Sequence, residues 1–483
     1  MKKVLSLLLA SLVLVAFVSC KADDNPTVTG QMTNVQGQTA LPTPEEIGDI
    51  SGKFNILVSG NWDWNDFEAE ETSDDLIQIA IYERVQKMKA DHNIDITTDY
   101  SVAFGKSNGQ GPGFSKISND YVSGTSLYDA AMIGTYDVAT LAYNHFLYDL
   151  NNKQALPYIN LQNDYWDQQA NRDLAVNGKM YYTTGDISIA DNRATYTLFF
   201  SKKMVEDFKL DNPYELVEKD EWTFEKFAEM VKQVGRDADS NGVYDDNDVY
   251  GLMTPNDTNL AILSAGDERV CDVDENGQIV LSLYSNRTDD LYSDYIDLLK
   301  DTSVFEYKQL NPNPTDERRR AMLDSNQALF YSHTMFYIDN LRTCENNFGI
   351  LPYPKYDKTQ EDYKNLVSAW HSQFLAIPVM AKNPVRSSYV IEKMAMLGAG
   401  DLNTAYYEKT LQGKRVRDEE SAAMLDIIFD NLVYDIGMYY NIGTYREKLV
   451  VNKLEDYNFT VIYNENELSA QNQLEQINAA FAK

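Results

Sequence analysis

Histidine, cysteine and positive charge are all scarce in this chain of 483 residues. It carries 4 histidines, 3 cysteines, and 42 lysines and arginines against 74 aspartates and glutamates, for a formal charge of −32. That field repels phosphate backbones and argues against nucleic-acid binding. His92, His145, His333 and His371 have no metal-ligand spacing, so nothing in the sequence points to a histidine-built catalytic metal centre. The nucleophile elbow G-x-S-x-G is missing, as are H-E-x-x-H and the phosphate-binding G-x-x-x-x-G-K-[ST]. With so many acidic residues, a carboxylate pair of any desired spacing can be found, so such pairs carry no weight as evidence for a glycosidase. The chain reads as a protein that does no catalysis. It has no internal repeat, and beyond its first 20 residues no apolar run long enough to cross a membrane.

What the sequence does have begins at its start. Lys2 and Lys3 precede an almost unbroken apolar run, Val4 to Val18, which ends in Ser19-Cys20. The run is too short for a comfortable permanent span, and a small residue before cysteine resembles a lipoprotein signal peptide. The expectation is a signal over residues 1–19, lipidation at Cys20, and export to the outer face of the cytoplasmic membrane. Losing the two lysines leaves 40 basic and 74 acidic residues, a charge of −34. Residues 20–52 then form a flexible tether, polar and with prolines at 26, 42 and 44. Cys271 and Cys344 remain; whether they pair is open at this point.

The segment 237–248, DADSNGVYDDND, sets oxygen-bearing side chains at loop positions 1, 3, 5, 9 and 12, with Gly242 at position 6. This is calcium-loop spacing: Asp237, Asp239, Asn241 and Asp248 would bind Ca²⁺ through side chains, Val243 through its carbonyl, and Asp245 directly or through water. A single loop in a calcium-rich exterior suits a structural ion better than a sensor. About 430 residues beyond the tether imply two domains. FNILVSG from Phe54, the helical stretch after Asp75, and NIDITTDYSV read as strand, helix and parallel strand, so the first lobe is α/β. In that helix Ile77, Ile79, Ile81, Val85 and Met88 are the apolar set. Thr223 opens another helix with Phe224, Phe227, Val231 and Val234 on one face.

Several pieces in order, NGKMYYTTGD, YTLFFSKKMVEDF, WTFEKFAEMVKQV, the aspartate loop with VYGL, NQALFYSHTMFYIDNLR, FGILPYPKYDKTQEDY and FLAIPVMAKNP, resemble the extracellular solute-binding proteins of carbohydrate ABC importers. The resemblance covers roughly residues 53 to 480. It implies a type II periplasmic-binding-protein fold: two α/β lobes with a ligand cleft and several hinge crossings, near Asp191–Thr195, near Gln327 and after Trp370. Lobe 1 would be 53–190 plus 329–372, and lobe 2 would be 195–327 plus 374–483. The implied partners are a sugar or oligosaccharide, the transmembrane subunits of an importer, and the membrane through the lipid. An exported glycoside-active enzyme and a calcium-stabilised adhesion lipoprotein are the alternatives, and a peptide ligand stays open.

Sugars are held by aromatic faces against their C–H surfaces and by planar polar groups on their hydroxyls, from loops at strand carboxyl ends. Trp62, Asp63 and Trp64 follow the first strand directly, with at least one ring expected in the cleft. Thr135 and Tyr136 occupy the equivalent loop after LYDAAMIGT. His333 and Tyr337 line the re-entry segment, where Phe336 reads as core. Trp370 and His371 flank the last crossing, and Asp191 and Arg193 contact ligand or pair across the hinge. Trp222 is expected to pack lobe 2, and Trp166 to sit on a helix.

Overall fold

The strand that opens the fold, β1 (Gly52–Gly60), is fully buried over its last five residues, and both flanking strands pair with it in parallel. They are β2 (Ile94–Val102) and β3 (Ala130–Gly134). The structure, a computed structural model, describes residues 41–482 apart from 103–105, 107, 308–312, 342–343, 345, 413–418 and 451–452. The signal-like run and Cys20 lie outside the described residues, and residues 41–483 form one compact unit. The crossover from β1 to β2 is α1 (Leu76–His92), capped by the Asp75 carboxylate on the amides of Ile77 and Gln78 and closed by Asn93 in the left-handed region. Its buried face is Ile77, Ala80, Ile81, Arg84 and Met88; Ile79 is exposed and Val85 half-buried. Of the expected apolar set, Ile77, Ile79 and Ile81 stand two residues apart, and no single helix face can bury all three.

A second sheet takes β4 (Tyr196–Ser201), β5 (Tyr250–Thr254), β6 (Val304–Glu306), β7 (Ala328–Thr334) and β8 (Phe348–Leu351) in the order β8-β4-β7-β5-β6. The first sheet is completed by β9 (Gln373–Ala376) in the order β9-β3-β1-β2. The two sheets follow one plan. In each, a central strand pairs in parallel with both neighbours, and the next strand out, β9 or β4, runs antiparallel. Each of these two strands is the first that its own sheet receives after the chain leaves the opposite sheet.

That exchange corrects the expected division. Residues 328–351 stay with the second sheet, because β7 pairs with β5 through Tyr250↔Ala328 and Leu252↔Phe330. No crossing occurs at Gln327; its carboxamide instead donates to the carbonyls of Asp246 and Asp248, at 3.1 Å each. The crossing after Trp370 leads into the first sheet, and the helix Leu402–Gln412 packs on α1. The apolar run Ala328–Tyr331 identifies a buried strand but not the sheet that buries it.

The tether is shorter than expected. Thr43 caps a helix at Pro44–Ile47 in a full capping box, Ile50 is buried, and the Tyr389 hydroxyl donates to the carbonyl of Pro42 at 3.0 Å. In the second half, α2 (Phe224–Val234) is capped by Thr223, as its sequence implied, and buries Phe224, Phe227, Val231 and Val234. Trp222 is fully buried as expected. Trp166 is buried too, but lies before the helix Gln168–Asp173 and not on one, with its indole N–H donated to Glu392 at 2.9 Å. Cys271 is buried and forms no disulfide, so it does not pair with Cys344.

Candidate ligand-binding site

Parallel strands point their carboxyl ends the same way, and the loops leaving those ends gather at one place. The loop after β1 brings Trp62, the loop after β5 brings Pro255–Asp257, and the end of β7 brings His333, followed by a tight turn at Met335–Tyr337. With Trp370 and His371, from the segment entering β9, they wall a cavity of about 390 Å³.

Its aromatic side is continuous. The Trp62 and His371 rings stack with centroids 5.0 Å apart and planes 6° apart. Phe336 lies 4.8 Å from Trp62 and 5.4 Å from His371, and His333 lies 5.2 Å from Phe336 and 4.7 Å from Tyr337. Tyr196 and Tyr307 close the far side, with the Arg319 guanidinium 4.4 Å over the Tyr307 ring. The indole N–H of Trp62, a lining residue, is buried and has no hydrogen-bond partner among the described residues, so it is a donor available to a ligand. Burial, and then the neighbouring His333, push the imidazolium of His371 well below the ordinary range, so its ring is neutral. The His371 Nδ1 shares a 2.8 Å hydrogen bond with Ser368. His333 Nδ1 accepts the Thr334 N–H at 2.9 Å, which fixes the orientation of the ring. Flat rings, the neutral His371 imidazole and the amides of Asn256 and Asn340, with Asp257, Asp316 and Arg319 beside them, offer a polyhydroxylated ligand both apolar faces and hydrogen-bonding groups.

No family model matches the sequence, and no curated protein matches it. Solved structures do match. The ABC substrate-binding protein from Listeria monocytogenes in complex with cycloalternan aligns with a TM-score of 0.53 at 11% identity, over 89% of this chain and 99% of that one. The maltose/maltodextrin-binding domain MalE from Bdellovibrio bacteriovorus, bound to maltotriose, gives 0.51 at 14%, over 89% and 98%. The GacH receptor of Streptomyces glaucescens gives 0.52 at 12%, over 90% and 98%. The chain has the periplasmic-binding-protein fold.

Within that fold, the residues singled out in the sequence divide into three groups. Trp62, His333, Tyr337, Trp370 and His371 meet around the cavity. Trp64 and Arg193 stand behind it: the guanidinium lies 5.5 Å over the Trp64 ring and pairs with Asp66 at 3.3 Å, while Trp64 packs 6.2 Å from Trp62. The others serve the framework. Asp63 is exposed and accepts from the Tyr100 hydroxyl. Buried Thr135 holds the Ser372 hydroxyl at 2.6 Å, fastening the end of β3 to the start of β9. Tyr136 is buried beneath the Arg446 guanidinium, 3.6 Å away, with its phenol pushed up to about 12 by that burial. Asp191 is buried in the short helix Ala190–Ala194 at the first crossing.

The reading of the sequence missed Tyr196, Pro255–Asp257, Tyr307 and Arg319, and it placed Phe336 in the core. The rule that found Trp62 after β1 applies equally to Pro255–Asp257 after β5 and would have found them. Arg319 and Tyr307 carried no such signal, because a charged helix and a short edge strand say nothing of where they point.

Asp191 belongs to a cluster of buried carboxylates at the first crossing. The Tyr434 hydroxyl lies 2.8 Å from an Asp167 oxygen and 3.3 Å from Asp191. Burial first, then Asp167, raise Asp191 to about 8, and burial raises Asp186 to about 7. The folded chain therefore holds protons that the unfolded chain releases above its ordinary carboxylate range, so stability falls as pH rises from about 4 to about 8. Asp191→Asn is expected to flatten that slope. Melting temperatures from pH 5 to pH 8 check it; equal slopes for the two proteins would refute a proton on Asp191.

The loop 237–248 joins α2 to β5, and its base is closed by an Arg236↔Val249 bridge. Carboxylate oxygens of Asp237, Asp239 and Asp248 lie within 4.8 Å of one another. Gly242 has φ +80°, and its N–H donates to Asp237 at 2.8 Å. Asp245 turns instead to the amide of Asn247 at 2.8 Å, and the Asn241 oxygen accepts the Val243 N–H at 2.6 Å. The three carboxylates fit a hard divalent cation, with the Val243 carbonyl on the same loop.

Proposed function

We propose that this chain is the substrate-binding component of a carbohydrate ABC importer, exported, lipidated at Cys20 and held at the outer face of the cytoplasmic membrane, where it captures a sugar or oligosaccharide for the transmembrane subunits. The observation that carries the reading is the cavity. Six aromatic side chains, Trp62, Tyr196, Tyr307, Phe336, Tyr337 and Trp370, line it from strands and loops of both sheets, in a fold shared with sugar-bound proteins. A ligand gripped from both sides draws the two sheets together without chemistry, and release reverses the motion. Among the described residues no helix is long and apolar enough to cross a membrane. Calcium in the 237–248 loop acts in this reading as a clasp, away from the cavity.

A thermal-shift screen against neutral and acidic glycans identifies the ligand, and solution scattering then reads closure. The radius of gyration is expected to fall on adding a glycan that binds, with no hydrolysis product accumulating. Binding without compaction would refute closure, and saturable product formation would refute a pure binder. Trp62→Ala and Trp370→Ala are expected to weaken binding by roughly 1–3 kcal/mol each, with the ligand-free melting temperature little changed. Isothermal titration checks this. Lost stability with affinity intact would assign both rings to the framework.

A further inference from the structure

A second groove lies beside the cavity, where α3 (Thr135–Tyr143) faces the segment 439–444 and α4 (Phe459–Phe481), and its volume is about 480 Å³. None of the fourteen described residues that line it carries a charge. In a chain of which 24% is charged, roughly three would be expected at any surface of that size. The lining is instead built from carboxamides: Asn108 and Gln110 on one rim, Asn144 at the end of α3, Asn441, and Gln473 and Gln476 on α4. Of its four tyrosines, 143 and 440 are half-buried and present their rings, while 136 and 439 are buried in its wall.

Some of these groups are spent on the framework. Gln473 accepts the Gly443 N–H at 3.1 Å and donates to the Tyr440 carbonyl at 2.9 Å. It thereby holds a turn in which Asn441, Gly443 and Thr444 all have positive φ, at 50°, 56° and 59°. A β-branched residue is rarely found there, and such strain is retained where it shapes a site. Others have nothing to bind. The Asn441 side-chain oxygen is buried without a partner, and the side chains of Gln110 and Gln476, both exposed, make no hydrogen bond among the described residues. Planar amides that offer a donor and an acceptor together, beside aromatic rings and with the adjoining charges already engaged, Arg446 over the Tyr136 ring and Glu447 on the Asn441 amide, match paired hydroxyls on a neutral sugar better than a carboxylate or phosphate.

One wall separates groove from cavity. The Tyr136 ring lines the groove and lies 6.2 Å from the Trp370 ring, which lines the cavity. We propose that the groove is a second subsite for the same ligand, so that the ligand is an uncharged oligosaccharide whose chain continues past Trp370 and Tyr136. This rests on the carbohydrate reading of the cavity.

The test is a glycan array of neutral and uronate-bearing sugars, from single units to hexasaccharides, probed with the full-length protein and followed by titration of the hits. The probes are the wild type, the double variant Gln110→Ala, Gln476→Ala, and Trp62→Ala. Neutral oligosaccharides are expected as hits. The double variant should bind the longest of them at least tenfold more weakly, bind the shortest unchanged, and keep the wild-type melting temperature. Trp62→Ala should weaken every length. If the double variant binds all lengths as the wild type does while Trp62→Ala does not, the second subsite is wrong and the cavity reading stands. Hits confined to single units or to uronates overturn the subsite as well. An array with no hit overturns both.

Discussion

Trp222→Ala is expected to cost about 3–5 kcal/mol of folding stability, the range for truncating a large buried aromatic to alanine. The ring is fully buried, 5.9 Å from Phe227 on α2 and 5.6 Å from Phe330 on β7, and its indole N–H donates to the Pro352 carbonyl at 3.0 Å. It thus joins the start of a helix, a central strand and the loop leaving β8. Alanine leaves a void among rings that cannot close around it and strips a buried carbonyl of its donor. Trp222→Phe should lose much less, chiefly the hydrogen bond. Urea denaturation measures both. Because Trp222 is not part of the cavity lining, protein that remains folded should bind ligand within a few-fold of wild type, which separates support from recognition. A small midpoint shift for the alanine variant would mean that the second sheet does not depend on this ring.

Chelation is expected to produce the other large change. An ion that binds only the folded chain stabilises it by about 2.7 kcal/mol at a hundred times its Kd and about 4.1 at a thousand times. The carboxylates of Asp237, Asp239 and Asp248 converge with no cation among the described side chains of the cluster, so without the ion they repel. Melting scans in millimolar calcium and in EDTA should therefore differ by several degrees, and Asp237→Ala, Asp239→Ala should abolish the difference. The loop is tied to its own half of the molecule by Arg318, which pairs with Asp246 at 2.6 Å, and by Gln327. Ligand affinity at 25 °C should accordingly change little between the two conditions. A variant that keeps the calcium response would refute the site, and a calcium-dependent affinity would place the loop at the cavity.

The sequence disclosed elements better than partners. Asp75 and Thr223 mark helix starts because a short oxygen-bearing side chain on exposed amides is a local interaction, complete within four residues. Trp62 was found for a similar reason: a glycine-ended strand followed by a tryptophan specifies its own geometry. The sheet to which 328–334 belongs is a non-local fact. Ala328–Thr334 would bury equally well against either sheet, and only its pairing with β5, some 80 residues earlier, decides. Phe336 shows the same limit at the site. A phenylalanine between Met335 and Tyr337 reads as core, and it reaches the cavity because a tight turn ends β7 there and rotates the ring toward Trp62. Arg84 inverts the usual expectation: a fully buried arginine, held by the carbonyls of Asp66 and Ile187, fills a position where periodicity suggests an aliphatic residue.

The exchanged antiparallel strands bear on how the chain reaches its native state. The first sheet is not finished when its three parallel strands exist by residue 134, because the edge of β3 is covered only by β9, which begins at residue 373. A ribosome or a translocation channel delivers the chain from its amino end, so an incomplete first half waits with an open hydrogen-bonding edge while some 240 residues arrive. A nascent chain stalled before residue 373 should be a ready target for holdases and for pairing with its own copies. Limited proteolysis of truncations ending at 360 and at 400 would reveal whether native protection of β1 and β3 appears only in the longer one.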